Sequence, residues 1–362
     1  MLYSFPNETK LDIFKCLSYQ QLLTFKLTNV YFRDFVNKYE GELAKEEFTM
    51  ISLGHLGVDE IPRKLIKPKA EDFDFPLTEE FEEKGHLGVD EIPRKLIKPK
   101  AEDFDFPLTE EFEEKFKNGF DKPIHLFLSG HGPSKEDLIL KKVDKSEEYV
   151  LKLPATIKTK GDIKIVYFYL NKLFKCVFKC SYFEDYIINP KLIELLFGEA
   201  KQFYVQNCNI LIQDYNIDIL MQFIANNLTS EFHRITFWPI DDTMLERYED
   251  DLFKILLNGG DKFGKVYVSL YSTPGFDKNM YNHIVEYVAT SKDFLKMVPV
   301  IILHFEHYPN IKLHDKAKNV EIKKSNDTKS TTYQVVNIHD PTVKFSFCNE
   351  ESFYVRITIM RE

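Results

Sequence analysis

The chain has 362 residues, which is longer than the roughly 100–150 residues of a typical domain, so a small module joined to a larger body is expected. Hydrophobic residues make up 44% and charged residues 29% of the chain, which is ordinary for a protein with a real core. The formal net charge of −9 and the lack of a basic block argue against nucleic acid and anionic membranes as main partners.

The sequence predicts neither secretion nor a membrane span. The N-terminus lacks the basic region and apolar run of a signal peptide, and no stretch approaches about 18 uncharged apolar residues. The five cysteines are few, odd in number and widely spread. We expect them to be buried thiols in a reducing compartment, without a metal site, in a protein that is cytoplasmic and/or nuclear.

Three short amphipathic helices are predicted within residues 1–45. Pro6 fixes an entry turn, Asn7 is the expected N-cap of the first helix, and Thr28 or Asn29 is expected to start the third. Their apolar positions are Leu11, Ile13, Phe14 and Leu17, then Leu22, Leu23 and Leu27, then Phe32, Phe35, Val36 and Tyr39. About forty residues cannot bury so much apolar surface alone, so the module is expected to dock on a partner or on the rest of the chain.

The run FPNETKLDIFKCLSYQQLLTFKLTNVYFRDFVNKY resembles an F-box. Phe5 and Pro6 occupy the place of the opening Leu-Pro of that motif, and Phe32 stands where many F-boxes have Trp. The other matching positions are Glu8, Ile13, Phe14, Leu17, Leu22 and Leu23. The chain departs from the motif at Phe5, which replaces Leu, and at Asn29, where Cys is frequent.

Most of the chain also resembles a large set of F-box proteins from plant-parasitic nematodes. The stretches that carry this resemblance are FRDFVNKYEGELA, FDFPL, VYFYLNKLF, LFKILLNGGDKF and the tail TTYQVVNIHDP with VKFSFCNEES.

The F-box resemblance implies binding to the Skp adaptor of a cullin–RING ubiquitin ligase, in the manner of a helix in a groove. The chain would then be a substrate-receptor subunit in protein ubiquitination, with an unknown target protein. The implied adaptor contacts are Phe5, Pro6, Leu11, Ile13, Phe14, Leu17, Leu22, Leu23, Phe32 and Phe35. The alternative is that the three helices pack against the chain's own body.

Residues 46–122 are predicted to be a linker that contains an identical tandem duplication. Residues 54–84 reappear without change as residues 85–115. The unit is rich in proline and acidic residues, and only a short extended piece at Lys64–Lys67 and a short helix at Thr78–Lys84 are expected in it. Identity at every position points to a very recent tandem duplication or to an error in assembling the coding sequence, because stacked structural repeats share a pattern rather than a sequence.

Residues 123–308 are predicted to form the larger body, in which strands alternate with helices. The predicted strands are Tyr149–Leu153, Cys176–Cys180, Phe203–Gln206, Ile235–Trp238, Val266–Leu270 and Val300–Phe305. The predicted helices are Ile163–Phe174, Pro190–Phe197, Ile217–Leu228, Tyr248–Leu257 and Met280–Ala289. The spacing of about 30 residues predicts a leucine-rich-repeat-like α/β array that binds the target, and a doubly wound open sheet is the alternative.

Residues 309–362 are predicted to add a C-terminal antiparallel β segment. The strands expected there are Asn319–Lys324, Tyr333–Ile338, Val343–Phe347 and Phe353–Ile359. The expected fold class is therefore α+β overall.

No set of Cys, His and carboxylate residues has a spacing that demands catalysis. The segment Ser129–Pro133 lacks the lysine and glycine spacing of a phosphate-binding loop and is expected to be a turn. The sequence therefore predicts a protein that is not an enzyme and needs no cofactor. Two alternatives stay open: an α/β enzyme whose site is assembled from distant residues, and an F-box protein that acts as a binding scaffold outside ubiquitin ligation.

Overall fold

The computed structural model describes residues 4–54, 94–97, 114, 124–134, 137–142, 148–183, 185–198, 200–238, 242–270, 276–305, 313–325 and 327–362. The fold is mixed α+β, as predicted, with three N-terminal helices followed by a large sheet that helices cover on one face. Within the described residues no helix is both long and apolar enough to cross a bilayer.

The N-terminal helices are α1 (Asn7–Lys15), α2 (Tyr19–Thr28) and α3 (Val30–Lys38). Pro6 rather than Asn7 occupies the N-cap of α1, and no side chain caps that end. A capping box starts α2, because the Ser18 amide donates to Gln21 Oε1 at 2.9 Å while the Ser18 hydroxyl accepts from the Gln21 amide. Asn29 caps α3 by accepting from the Phe32 amide at 3.0 Å.

The body contains helices that separate its strands. They are α4 (Lys160–Leu173), α5 (Pro190–Phe197), α6 (Ile217–Asn227), α7 (Asp242–Asn258) and α8 (Phe276–Thr290). All five helices predicted for the body are confirmed, and α5 has the predicted bounds. Asn189 caps α5 and Gly198 ends it with a left-handed backbone, φ +72°.

In the described parts of the chain the strands form one sheet of thirteen strands and two small sheets. The first strands are β1 (Glu47–Gly54), β2 (Arg94–Ile97), β3 (Ile124–His125), β4 (Phe127–Ser129), β5 (Gly132–Ser134), β6 (Asp137–Lys142), β7 (Glu148–Leu151) and β8 (Thr156–Ile157). The next are β9 (Val177–Phe183), β10 (Tyr186–Ile188), β11 (Phe203–Ile212), β12 (Leu228–Phe237), β13 (Phe263–Leu270) and β14 (Val300–Phe305). The last are β15 (Lys318–Ser325), β16 (Thr328–Val336), β17 (Lys344–Glu351) and β18 (Val355–Arg361).

The strand order of the large sheet runs in one direction through the body. Strands β1, β9, β11, β12, β13 and β14 are parallel neighbours in that order. A doubly wound sheet would reverse this order at a switch point, so that alternative does not describe the body. Each new strand is added on the same side of the one before it, and every crossover between them has the same hand, so the connecting helices lie on a single face of the sheet. In agreement with this, each of the helices α5 to α8 contacts the next one along the chain.

The C-terminal strands continue the same sheet. Strand β18 pairs antiparallel with β14, and β17, β16 and β15 follow as an antiparallel series that ends at the outer edge. The predicted antiparallel segment is thus confirmed, and it extends the open end of the parallel series.

Residues 46–122, predicted as a linker, contribute two strands to the large sheet. Strand β1 lies inside the sheet between β9 and β6, and β2 forms an edge beside β7. Strand β2 lies in the second copy of the duplication. The pieces expected at Lys64–Lys67 and Thr78–Lys84 lie outside the described residues.

Strands β1, β9, β11, β12 and β13 share an irregularity at one height of the sheet. The residue pairing between neighbouring strands skips one residue of each strand at this height, namely Thr49, Lys179, Gln206, Glu231 and Gly264. The buried positions change phase there, so two consecutive residues of each of the central strands face away from the helices. We call the face of the sheet opposite the helices the open face. The change of phase determines which side chains lie on it.

Candidate partner-binding surfaces

The N-terminal helices have a small core of their own. It is separate from the core of the body and consists of Phe14, Leu22, Phe32, Phe35, Val36 and Leu43. The Phe14 side chain is fully buried, and its ring centroid lies 5.1 Å from that of Phe25 and 5.3 Å from that of Phe35. These ring contacts hold the three helices together.

The ten predicted adaptor contacts divide between this core and the surface. Phe14, Leu22, Phe32 and Phe35 are buried inside the helical module, and Leu11 and Leu17 are partly buried against the same core. Leu23 is half-buried. The side chains that a partner can reach are Phe5, Pro6 and Ile13, with Phe5 39% and Ile13 38% exposed.

Two exposed apolar residues at the start of α3 were not predicted. Val30 is 59% exposed and Tyr31 is 40% exposed. The Lys10 ammonium hydrogen-bonds the Tyr31 hydroxyl, and Lys10 lies one turn before Ile13 on α1. We call Phe5, Ile13, Val30 and Tyr31 the module patch, since they are the large apolar side chains that are exposed in the described part of this module.

Polar contacts join the helical module to the body. The Lys175 ammonium lies 2.6 Å from the Glu40 carboxylate, and the Val177 amide donates to the Glu46 carbonyl at 2.8 Å. The exposed ion pair contributes little by itself, but the backbone bond fixes the chain immediately before β1.

A connected series of aromatic and cationic side chains occupies the open face of β12, β13 and β14. Lys265 Nζ lies 5.4 Å from the Phe232 ring, and the Arg234 guanidinium lies 5.9 Å from the Phe232 ring and 4.8 Å from the Tyr267 ring. These are cation–π distances. The series continues through His304, whose ring stacks 5.9 Å from Tyr267.

Tyr354, immediately before β18, ends this series. Its ring lies 4.9 Å from that of His304, and His304 Nδ1 lies 3.3 Å from the Ser269 hydroxyl. We call Phe232, Arg234, Lys265, Tyr267, His304 and Tyr354 the open-face ladder. Sequence patterns could not identify it, because its members come from four strand regions and meet only through the register of the sheet.

The face that the helices cover contains a buried polar row instead. Ser181, Cys208 and His233 are register neighbours on β9, β11 and β12, and the Ser181 hydroxyl donates to Cys208 Sγ at 3.1 Å. Burial raises the pKa of the Cys208 thiol to about 12 and lowers the pKa of His233 to about 3. Both groups are therefore neutral near pH 7, and a neutral, buried thiol is a poor nucleophile.

Among the described residues, no group of three or more His, Cys, Asp or Glu side chains is placed to hold a metal ion. In the segment Ser129–Pro133, expected to be a turn, Gly130 and His131 form the hairpin connection between β4 and β5.

Comparison with known proteins gives one partial match. A family model described as a domain of unknown function, DUF8381, matches residues 97–238, which is less than half of the chain. The matched region extends from the end of β2 to Trp238, directly after β12. No curated protein and no solved structure matches the chain.

Proposed function

We propose that this chain is a substrate-receptor subunit of a cullin–RING ubiquitin ligase, in which the N-terminal helices act as an F-box that binds the Skp adaptor. The body, a leucine-rich-repeat-like array, would bind a target protein, and other subunits would catalyse ubiquitin transfer. Such a complex would act in the cytoplasm and/or nucleus.

The main observation in support is the small helical module with its own core and exposed apolar residues. The described residues contribute six buried side chains to this core, which gives a module of this size little stability, so a partner that covers the module patch would contribute to its folding. Exposed apolar side chains on a module this small are candidates for a protein interaction surface.

Binding of the purified Skp adaptor to the full-length chain tests the proposal. Ile13→Asp places a charge in the module patch without removing a core side chain, so we expect at least a roughly tenfold loss of adaptor affinity. Ile322→Asp is the matched control, because Ile322 is 59% exposed on β15, far along the chain from the module.

Circular dichroism would confirm that both variants are folded. The proposal fails if the wild-type chain does not bind the adaptor, or if Ile13→Asp and Ile322→Asp bind it equally well. Adaptor binding is expected to persist in Ile322→Asp.

A further inference from the structure

The open-face ladder combines cation–π contacts with cations that lack an ion-pair partner among the described residues. Its cations are held over aromatic rings, and in the described part of the chain neither Arg234 nor Lys265 has a carboxylate within ion-pair distance. Arg356 adds a further cation, because it is the register partner of His304 on β18. Its Nε is buried and has no hydrogen-bond partner among the described residues.

The charge of this surface is opposite to that of the whole chain. Arg234, Lys265 and Arg356 are accompanied on these strands by Glu231 and by Glu350, which pairs in register with Arg356. The carboxylate of Glu231 accepts a hydrogen bond from the Tyr204 hydroxyl at 2.6 Å. A cationic patch on a chain of net charge −9 focuses attraction for anionic groups on this one place.

Apolar area lies beside the charges. Phe353 is 91% exposed and directly precedes Tyr354, which is itself 44% exposed at the end of the ladder. On β9 Tyr182 is 48% exposed. Exposed aromatic residues next to arginine are the composition that protein interfaces favour.

We propose that the open-face ladder binds an extended acidic segment of a partner protein, in which carboxylates alternate with apolar side chains. Arg234 would bind one carboxylate and Lys265 a second, and the rings between them would contact the aliphatic stems of these acidic side chains, because an extended segment turns its alternate, apolar side chains to the opposite side. This inference rests on the proposed function only in identifying the bound segment as part of a ligase target.

The spacing of the sheet agrees with this ligand. Arg234 and Lys265 lie on neighbouring strands with a two-residue offset, because Arg234 pairs with Tyr267. Such diagonal neighbours are about 7–8 Å apart. Alternate side chains on one side of an extended peptide are about 6.6 Å apart, so successive carboxylates reach successive cations.

A single-stranded nucleic acid is the other polymer that combines negative charge with groups that stack on rings. The charges argue for the peptide. A nucleic acid carries a charge on every nucleotide and depends on a broad basic surface, whereas this ladder has few cations, has Glu231 beside Phe232, and belongs to a chain of net charge −9.

Fluorescence anisotropy with the full-length chain tests the inference. The probe is a short labelled peptide of alternating Glu and Val, compared with the equivalent Gln–Val peptide and with single-stranded oligouridine of the same length. We expect saturable binding of the Glu–Val peptide that weakens with added salt, and at least roughly tenfold weaker binding of the other two probes.

Paired variants locate the binding site. Replacing both ladder cations, Arg234→Gln with Lys265→Gln, should weaken Glu–Val binding at least roughly tenfold. Lys254→Gln with Lys296→Gln is the control, because it makes the same change in net charge at exposed lysines on α7 and after α8. The control should bind like the wild type.

Four outcomes overturn the inference: no saturable binding of the Glu–Val peptide, equal binding of the Glu–Val and Gln–Val peptides, unchanged binding by the ladder variant, or tighter binding of oligouridine than of the peptide. Adaptor binding measured on the same preparations separates the two proposals. Adaptor binding without peptide binding refutes the ladder alone, and peptide binding without adaptor binding refutes the ligase role alone.

Discussion

Truncation of Phe14 should unfold the N-terminal module while the body stays folded. Phe14 is fully buried and its ring contacts those of Phe25, Phe32 and Phe35 at centroid distances of 5.1, 5.8 and 5.3 Å. Phe→Ala in such a site costs about 3–5 kcal/mol. A core this small rarely supplies more than about 3–5 kcal/mol, so Phe14→Ala removes the module's stability.

Hydrogen exchange of the full-length chain, read by mass spectrometry, checks this prediction. Peptides from residues 7–38 should lose protection, whereas peptides from β11 to β14 should keep it, since the two cores are separate. Phe353→Ala is the matched control, because Phe353 is 91% exposed and its truncation should change stability by less than about 0.5 kcal/mol. Unchanged protection of α1–α3 in Phe14→Ala would refute the reasoning, and so would global loss of protection.

Three further changes test the body, each by urea denaturation. The Asn337 side chain is fully buried, donates to the Val288 and Ser291 carbonyls at 2.8 and 2.9 Å and accepts from the His339 amide. Asn337→Ala should therefore lower the unfolding free energy by roughly 3 kcal/mol, and a loss under about 1 kcal/mol would contradict this. The pKa of His233 is about 3 in the folded chain, against an ordinary value of 6.5, so the unfolded chain binds more protons at any pH between these two values. The free energy of unfolding should therefore fall by several kcal/mol as the pH drops from about 6.5 to about 3. His233→Leu should lose this part of the pH dependence, and equal slopes for both proteins would show that another group is responsible. Gly198→Ala should cost about 1 kcal/mol, because φ is +72° there, and an unchanged midpoint would contradict that assignment.

The helices and strands of the body could be told apart from the sequence because apolar residues recur there with clear helical or strand periodicity. Pro190 marks the first turn of α5, and Asn258 followed by glycines marks the end of α7. The strands β11 and β12 were predicted too short. The irregularity at Gln206 and at Glu231 interrupts the alternation of buried and exposed residues, so sequence alternation detected only one end of each strand.

The candidate surfaces were less predictable than the fold. In the N-terminal module the apolar stripe that identifies the helices is the same stripe that packs them together, so residues such as Phe14 and Phe35 have little surface left for a partner. Val30 and Tyr31 of the module patch lie outside that stripe. The contact of Lys265 with Phe232 depends on strand register, which a single sequence does not fix.

The one-directional strand order also has a consequence for folding kinetics. Each of β9, β11, β12 and β13 pairs with the strand that follows one helix later, so these pairings close short loops and can form one after another along the chain. The pairing of Phe48 with Phe178 spans more than a third of the chain, and that of Ile301 with Ile359 spans the C-terminal segment. Because these two pairings close much longer loops, we expect the centre of the parallel series to form first and its two ends to join last.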